Sequence, residues 1–134
     1  MARLNVEVVT PEKRLAQVEA DEVIAPGADG LFGVRPGHTP FLAVLQPGLL
    51  TVNGGAAPER FFVAGGFCEV GDDTVRVLAD GAELLSGIDV AAARKRLADA
   101  TAKLAELSPS VAGYALQQQV VRREQVRVEL AEKR

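Results

Sequence analysis

The sequence predicts a β + α protein, an N-terminal antiparallel β-sandwich of about ten short strands followed by a C-terminal antiparallel α-helical hairpin. Three observations carry this expectation. Before Ile88, short apolar runs alternate with polar residues and close at glycine and proline corners. From Ile88 onward the apolar spacing changes to a helical period. Composition divides at the same place: twelve of thirteen glycines and six of seven prolines precede Ile88. Charge divides with it, since residues 1–88 carry twelve acids and six bases, whereas residues 89–134 carry six acids and nine bases. A β-sandwich domain is therefore expected over 1–87 and a helical hairpin domain over 88–134.

Leu4, Val6 and Val8 mark a half-buried first strand that ends at Thr10-Pro11. Leu15 to Val18 form a second, and Val23-Ile24 belong to a third that stops at Pro26-Gly27. Between Pro26 and Gly48, five glycines and four prolines are interleaved with Leu31, Phe32, Val34, Phe41, Leu42, Val44 and Leu45. Glycine admits φ > 0 and proline fixes φ, so this stretch reads as tight corners between short buried strands. Leu49, Leu50 and Val52 precede Asn53-Gly54-Gly55, the strongest hairpin signal in the chain, and Phe61 to Val63 return from it. Ala64-Gly65-Gly66 is expected to turn into Phe67, Cys68 and Val70, and Gly71-Asp72-Asp73 into Val75, Val77 and Leu78.

Ala93, Leu97, Ala100, Leu104 and Leu107 fall on one face of a first helix, with Asp89 favourable at its start and Ser108-Pro109 at its end. Ser110 is expected to cap a second helix of about 24 residues, beginning near Val111. Its apolar side chains are few and scattered, and Gln117, Gln118 and Gln119 sit together. Helices with such thin stripes depend on packing against another element.

Several function classes are excluded. No phosphate-loop, G-x-G-x-x-G or H-E-x-x-H motif is present, and no nucleophile–base pair is evident, so no catalytic residue and no cofactor is expected. His38, the only histidine, reads as a turn or interface residue, and Cys68, the only cysteine, as a buried inert thiol. Asp72-Asp73 reads as a turn without a third ligand, so no metal is expected. The basic residues of the helical part are interleaved with acids and have only Tyr114 for stacking, which argues against nucleic acid. No apolar run approaches the ~18–20 residues of a membrane span and no signal peptide opens the chain, so a cytosolic protein is expected.

With these elements in place, the whole chain resembles the epsilon subunit of bacterial F-type ATP synthases, the subunit called delta in mitochondria. The resemblance rests on Val8-Val9-Thr10-Pro11-Glu12, Ala25-Pro26-Gly27, Gly30-Leu31-Phe32-Gly33-Val34 and Pro36-Gly37-His38-Thr39-Pro40. It continues through Gln46-Pro47-Gly48, Gly65-Gly66-Phe67-Cys68-Glu69-Val70, Val77-Leu78-Ala79-Asp80 and Ile88-Asp89. It implies a non-catalytic subunit of the central stalk, peripheral to the cytoplasmic face of the bacterial plasma membrane. Its implied partners are the gamma subunit, the c ring and, through the C-terminal helices, the alpha and beta subunits. Its implied work is to couple proton-driven rotation to ATP synthesis and to restrain ATP hydrolysis. Carried onto this chain, Gly30, Leu31, Phe32, Pro36, Gly37 and His38 become the interface candidates, and Arg122, Arg123 and Arg127 the inhibitory ones.

The alternative is a nucleotide-sensing, small-ligand binding module. Some family members hold ATP through a motif beginning I/L-D-x-x-R-A. Here Ile88, Asp89 and Ala93 match it, but Ala92 stands at the arginine position. Arg96 lies one turn later, and Glu83 sits in a loop able to meet a ligand, so Glu83, Asp89 and Arg96 are the ATP-site candidates. Without the arginine a planar bidentate phosphate contact is lost, and weak or absent ATP binding is expected.

Overall fold

A computed structural model describes residues 3–55 and 57–134. They form two compact units, one up to Leu84 and one from Leu85 to Arg134. The first contains β1 (Leu4–Val9), β2 (Arg14–Ala20), β3 (Glu22–Gly27), β4 (Gly30–Val34), β5 (Phe41–Asn53), β6 (Glu59–Gly71), β7 (Thr74–Ala79) and β8 (Ala82–Leu84). The second contains a 3₁₀ turn, Leu85–Gly87, then α1 (Val90–Ala105) and α2 (Tyr114–Lys133).

The strands join in the order β2-β1-β7-β6-β5-β3-β4, with β8 paired to β6. Eight strands rather than ten are present because β5 and β6 each run 13 residues. The expected breaks at Gln46-Pro47-Gly48 and Ala64-Gly65-Gly66 lie inside these strands, where the β5–β6 register continues unchanged from Leu45↔Gly66 to Pro47↔Ala64. The two halves of β6 serve different neighbours: Phe61–Val63 pair with β8, and Gly66–Gly71 with β7. A long strand shared in this way lets one sheet fold over on itself into two layers. Gly66, at φ 125°, lies where β6 passes from one partner to the other. The sheet also departs from the antiparallel expectation at one pair, because β1 runs parallel to β7.

Period-two alternation points one set of side chains into a common core. Leu4, Val6 and Val8 of β1 meet Val75 and Val77 of β7, Cys68 and Val70 of β6, and Leu50, Val52, Phe61 and Val63. Asp72 and Asp73 form the two-residue β6–β7 loop with φ of 49° and 56°, the left-handed pair of a type I′ turn.

In the second unit, Asp89 caps α1 by accepting from the Ala92 N–H at 3.0 Å. Contrary to expectation, Ser110 caps nothing. Its hydroxyl meets that of Ser108 at 2.9 Å, while residues 111–113 turn through Val111 N–H to Ser108 O (3.1 Å) and Tyr114 N–H to Val111 O (3.1 Å). The N-cap of α2 is Gly113, without a side-chain bond, and the helix is 20 residues long. Among the described residues, no helix is long and apolar enough to cross a membrane.

Candidate functional site: docking surfaces and a charged hairpin

Edge strand β4 and the loop after it carry the expected interface residues. Gly30 opens β4 at φ 129°, and Leu31 beside it is 72% exposed. Phe32 is half-buried, its ring edge-on to Phe41 with centroids 5.3 Å apart. His38 approaches the same Phe41 ring at 5.9 Å. Its backbone N–H donates to Arg35 O at 3.1 Å, closing the Pro36-Gly37 turn, and its Nδ1 lies 2.7 Å from Thr39 O. A carbonyl only accepts, so Nδ1 carries the proton and Nε2 is left for another partner. Gly37, at φ 87°, donates its N–H to Asp73 Oδ1 at 2.6 Å, which ties this corner to the β6–β7 turn. Glu22 and Arg35, paired at 3.0 Å, line an open depression of about 380 Å³ together with Gly33, Pro36, Gly37 and His38. Phe32 and His38 are thus brought together through Phe41, whereas Gly30 and Leu31 lie at the opposite end of β4.

A second surface was not singled out in the sequence. Across the outer face, Val44 of β5 stands opposite Phe67 of β6, Phe67 opposite Leu78 of β7, and Leu78 beside Val9 of β1. Val44 is 55% exposed, Phe67 50% and Leu78 41%, and Leu42, two residues along β5, is 66% exposed. The next row holds Glu69, Arg76 and Glu7, with Arg76 and Glu7 paired at 3.5 Å. Next to the apolar row a groove of about 320 Å³ is lined by Thr10, Pro11 and Asp80 as well as Val9, Phe67 and Leu78. The signal in the sequence was Phe67 and Leu78 at outward positions of strands whose inward positions were already apolar.

The hairpin holds a third arrangement. The buried positions of α2 are Gln117, Glu124, Val128 and Ala131, a single stripe at spacings of seven, four and three that includes two polar residues. Gln117 Nε2 donates to Ala100 O at 3.0 Å. The Glu124 carboxylate, 4% exposed, faces Arg96 of α1 at 3.2 Å, Arg123 at 3.8 Å and Arg127 at 3.9 Å. Arg94 pairs with Glu132, and Arg134 Nη1 donates to Leu85 O at 2.9 Å and Ile88 O at 2.6 Å. Arg122 is exposed on α2. Among the ATP-site candidates, Glu83 lies on β8, Asp89 is engaged as the α1 cap, and Arg96 is held by Glu124. Cys68 is fully buried, and burial pushes its thiol up to about 11. No group of three or more potential metal-ligating side chains occurs among the described residues.

These features define a class of protein, a β-sandwich followed by a helical hairpin. The family model of the ATP synthase delta/epsilon chain β-sandwich domain matches residues 3–85. The chain belongs to the ATP synthase delta/epsilon family. It is 56% identical to the ATP synthase epsilon chain of Myxococcus xanthus (strain DK1622) over 128 residues, covering 96% of this chain and 94% of that one. It is 44% identical to the ATP synthase epsilon chain of Anaeromyxobacter dehalogenans (strain 2CP-C), covering 96% and 97%. The fold is shared with a chain in a structure of the Euglena gracilis mitochondrial ATP synthase OSCP/F1/c-ring, at a TM-score of 0.79 and 24% identity over 94% of this chain and 79% of that one. It is shared too with a chain of the Tetrahymena thermophila mitochondrial ATP synthase central stalk and c ring, at a TM-score of 0.65 and 20% identity, covering 98% and 96%.

Proposed function

We propose that this chain is the epsilon subunit of a bacterial F-type ATP synthase, a non-catalytic member of the central stalk at the cytoplasmic face of the plasma membrane. In this reading the sandwich docks on the gamma subunit and on the c ring. Proton-driven rotation is thereby coupled to ATP synthesis, and the helices restrain ATP hydrolysis through the alpha and beta subunits. Glu83, Asp89 and Arg96 are not needed for it.

The observation that carries the reading is the outward row Val44-Phe67-Leu78-Val9 with Leu42 beside it, an apolar face on a protein that belongs to a subunit family. Contiguous exposed apolar side chains mark a surface meant for a partner. Short turns held between strands, such as Pro36-Gly37-His38, lose little entropy on docking and suit the rim of such a contact. The test is co-purification with gamma from membranes washed at low salt, using wild type and Phe67→Asp. Wild type is expected to stay with gamma and the variant to be lost from it; a wild-type chain that remains a free monomer rejects the reading.

A further inference from the structure

The corner Pro36-Gly37-His38 stands in the loop of residues 35–40 between β4 and β5, and bonds to other parts of the sheet hold it on both sides. On one side Arg35 pairs with Glu22 of β3 at 3.0 Å. On the other the Gly37 N–H donates to Asp73 Oδ1 at 2.6 Å. Asp73 also accepts through its own backbone carbonyl, from the Asn5 N–H of β1 at 2.8 Å. One residue thus joins β1, the β6–β7 turn and the corner. Turn chemistry alone does not select an aspartate there. Both central positions of a type I′ turn need φ > 0, and the second is the one that glycine usually fills. Asp73 holds it at φ 56°, a conformation that disfavours a side chain. A glycine would serve the turn equally well, so the carboxylate has a use beyond it, and what it reaches is Gly37.

We propose that Asp73 is a positioning residue for the docking corner. Its carboxylate fixes Gly37, which sits at φ 87°, and through Gly37 it fixes the start of His38. The His38 N–H is already closed onto Arg35 O at 3.1 Å, and Nδ1 lies 2.7 Å from Thr39 O. With Gly37 held, the imidazole presents Nε2 in one orientation. A corner ordered before contact loses less entropy on binding than one that contact must order. The docking half of this inference rests on the proposed function, whereas the clasp itself stands on the sandwich alone.

Three variants of the full chain separate the clasp from the turn. Asp73→Gly suits the turn and removes the carboxylate. Asp73→Asn keeps an acceptor oxygen and tolerates the same φ. Asp72→Gly changes the turn and leaves the clasp. Amide exchange followed by NMR is expected to quicken about tenfold at Gly37 in Asp73→Gly, with β6 and β7 keeping their protection. In the other two variants Gly37 is expected to stay close to wild type. In reconstituted enzyme, proton pumping per ATP hydrolysed is expected to fall several-fold in Asp73→Gly and to recover in Asp73→Asn. Unchanged exchange at Gly37 in Asp73→Gly overturns the proposal, and so does faster exchange spread equally over β6 and β7. Pumping at the wild-type level with Gly37 released overturns the positioning role, as does an equal loss in Asp72→Gly. A failure of the functional reading shows instead in wild type, which would then remain free of gamma. That result removes the docking half, while exchange at Gly37 still decides the clasp.

Discussion

Gly66 leaves room for the carbonyl oxygen of Leu78, which a Cβ at position 66 would overlap. The contact lies where β6 passes from β8 to β7, and the φ of 125° at Gly66 is one that other residues rarely adopt. Gly66→Ala therefore combines backbone strain with a forced shift of β7. A loss of about 3 kcal/mol or more is expected. Urea denaturation checks it, and a midpoint within error of wild type would show that the strand relaxes freely.

Cys68 supplies a prediction about reactivity and one about pH. Burial holds its thiol neutral up to about 11, against an ordinary value of 9.0. At pH 8 the native protein should resist alkylation, and urea should expose the thiol to it. Above pH 9 the unfolded chain releases this proton while the folded chain retains it. The thiol's part of the stability is thus present at lower pH and is lost as pH rises from 9.0 toward about 11. Labelling of the native state as fast as in urea would contradict the burial.

The architecture was legible because its signals are local. Alternation placed Leu4, Val6 and Val8 in the core, and Asp72-Asp73 announced a turn. Pro47 and Gly65-Gly66 misled because the same residues that end a strand also let a long strand change neighbours, a choice settled by tertiary pairing. The apolar face escaped notice because Phe67 and Leu78 look like core until Cys68 and Val77 are known to fill the inside. Glu124 escaped for the opposite reason. A charged residue on a weakly amphipathic helix reads as solvated, and only the approach of Arg96 from the other helix shows it to be buried.

His38 is half-buried against Phe41, with Nδ1 turned to Thr39 O. Removing the imidazole disturbs no core contact, so His38→Ala should leave the stability of the isolated protein within about 0.5 kcal/mol of wild type. Association with the stalk, or coupling, should weaken. Proton pumping by reconstituted enzyme is the measurement, and normal pumping would return His38 to a turn role.

ATP binding by the isolated chain is expected to be weak or absent. Ala92 offers no guanidinium, Asp89 is committed to the α1 cap, and Arg96 to Glu124. Calorimetry decides this, and micromolar affinity would favour the alternative, nucleotide-sensing function.

Ending the chain after Gly87 removes α1 and α2 yet leaves every strand. The buried core of the sandwich runs from Leu4 to Ala79 and includes no residue of either helix. The truncated protein is therefore expected to fold, to bind gamma and to support ATP synthesis. What it should lose is restraint on hydrolysis, since α2, 20 residues or about 30 Å long, is the element with the reach for a distant partner. Reversing Arg122 and Arg123 should reproduce part of this loss by repelling acids on that partner. Arg123 lies 3.8 Å from Glu124, so its reversal also sets two acids together inside the hairpin. Arg122 is exposed on α2, so its reversal is measured separately from that of Arg123. ATPase rates of reconstituted enzyme should rise in the order wild type, Arg122→Glu, truncation. Equal rates across all three would reject the inhibitory role while leaving docking of the sandwich intact. A truncated chain unable to bind gamma would show instead that the helices take part in the docking itself.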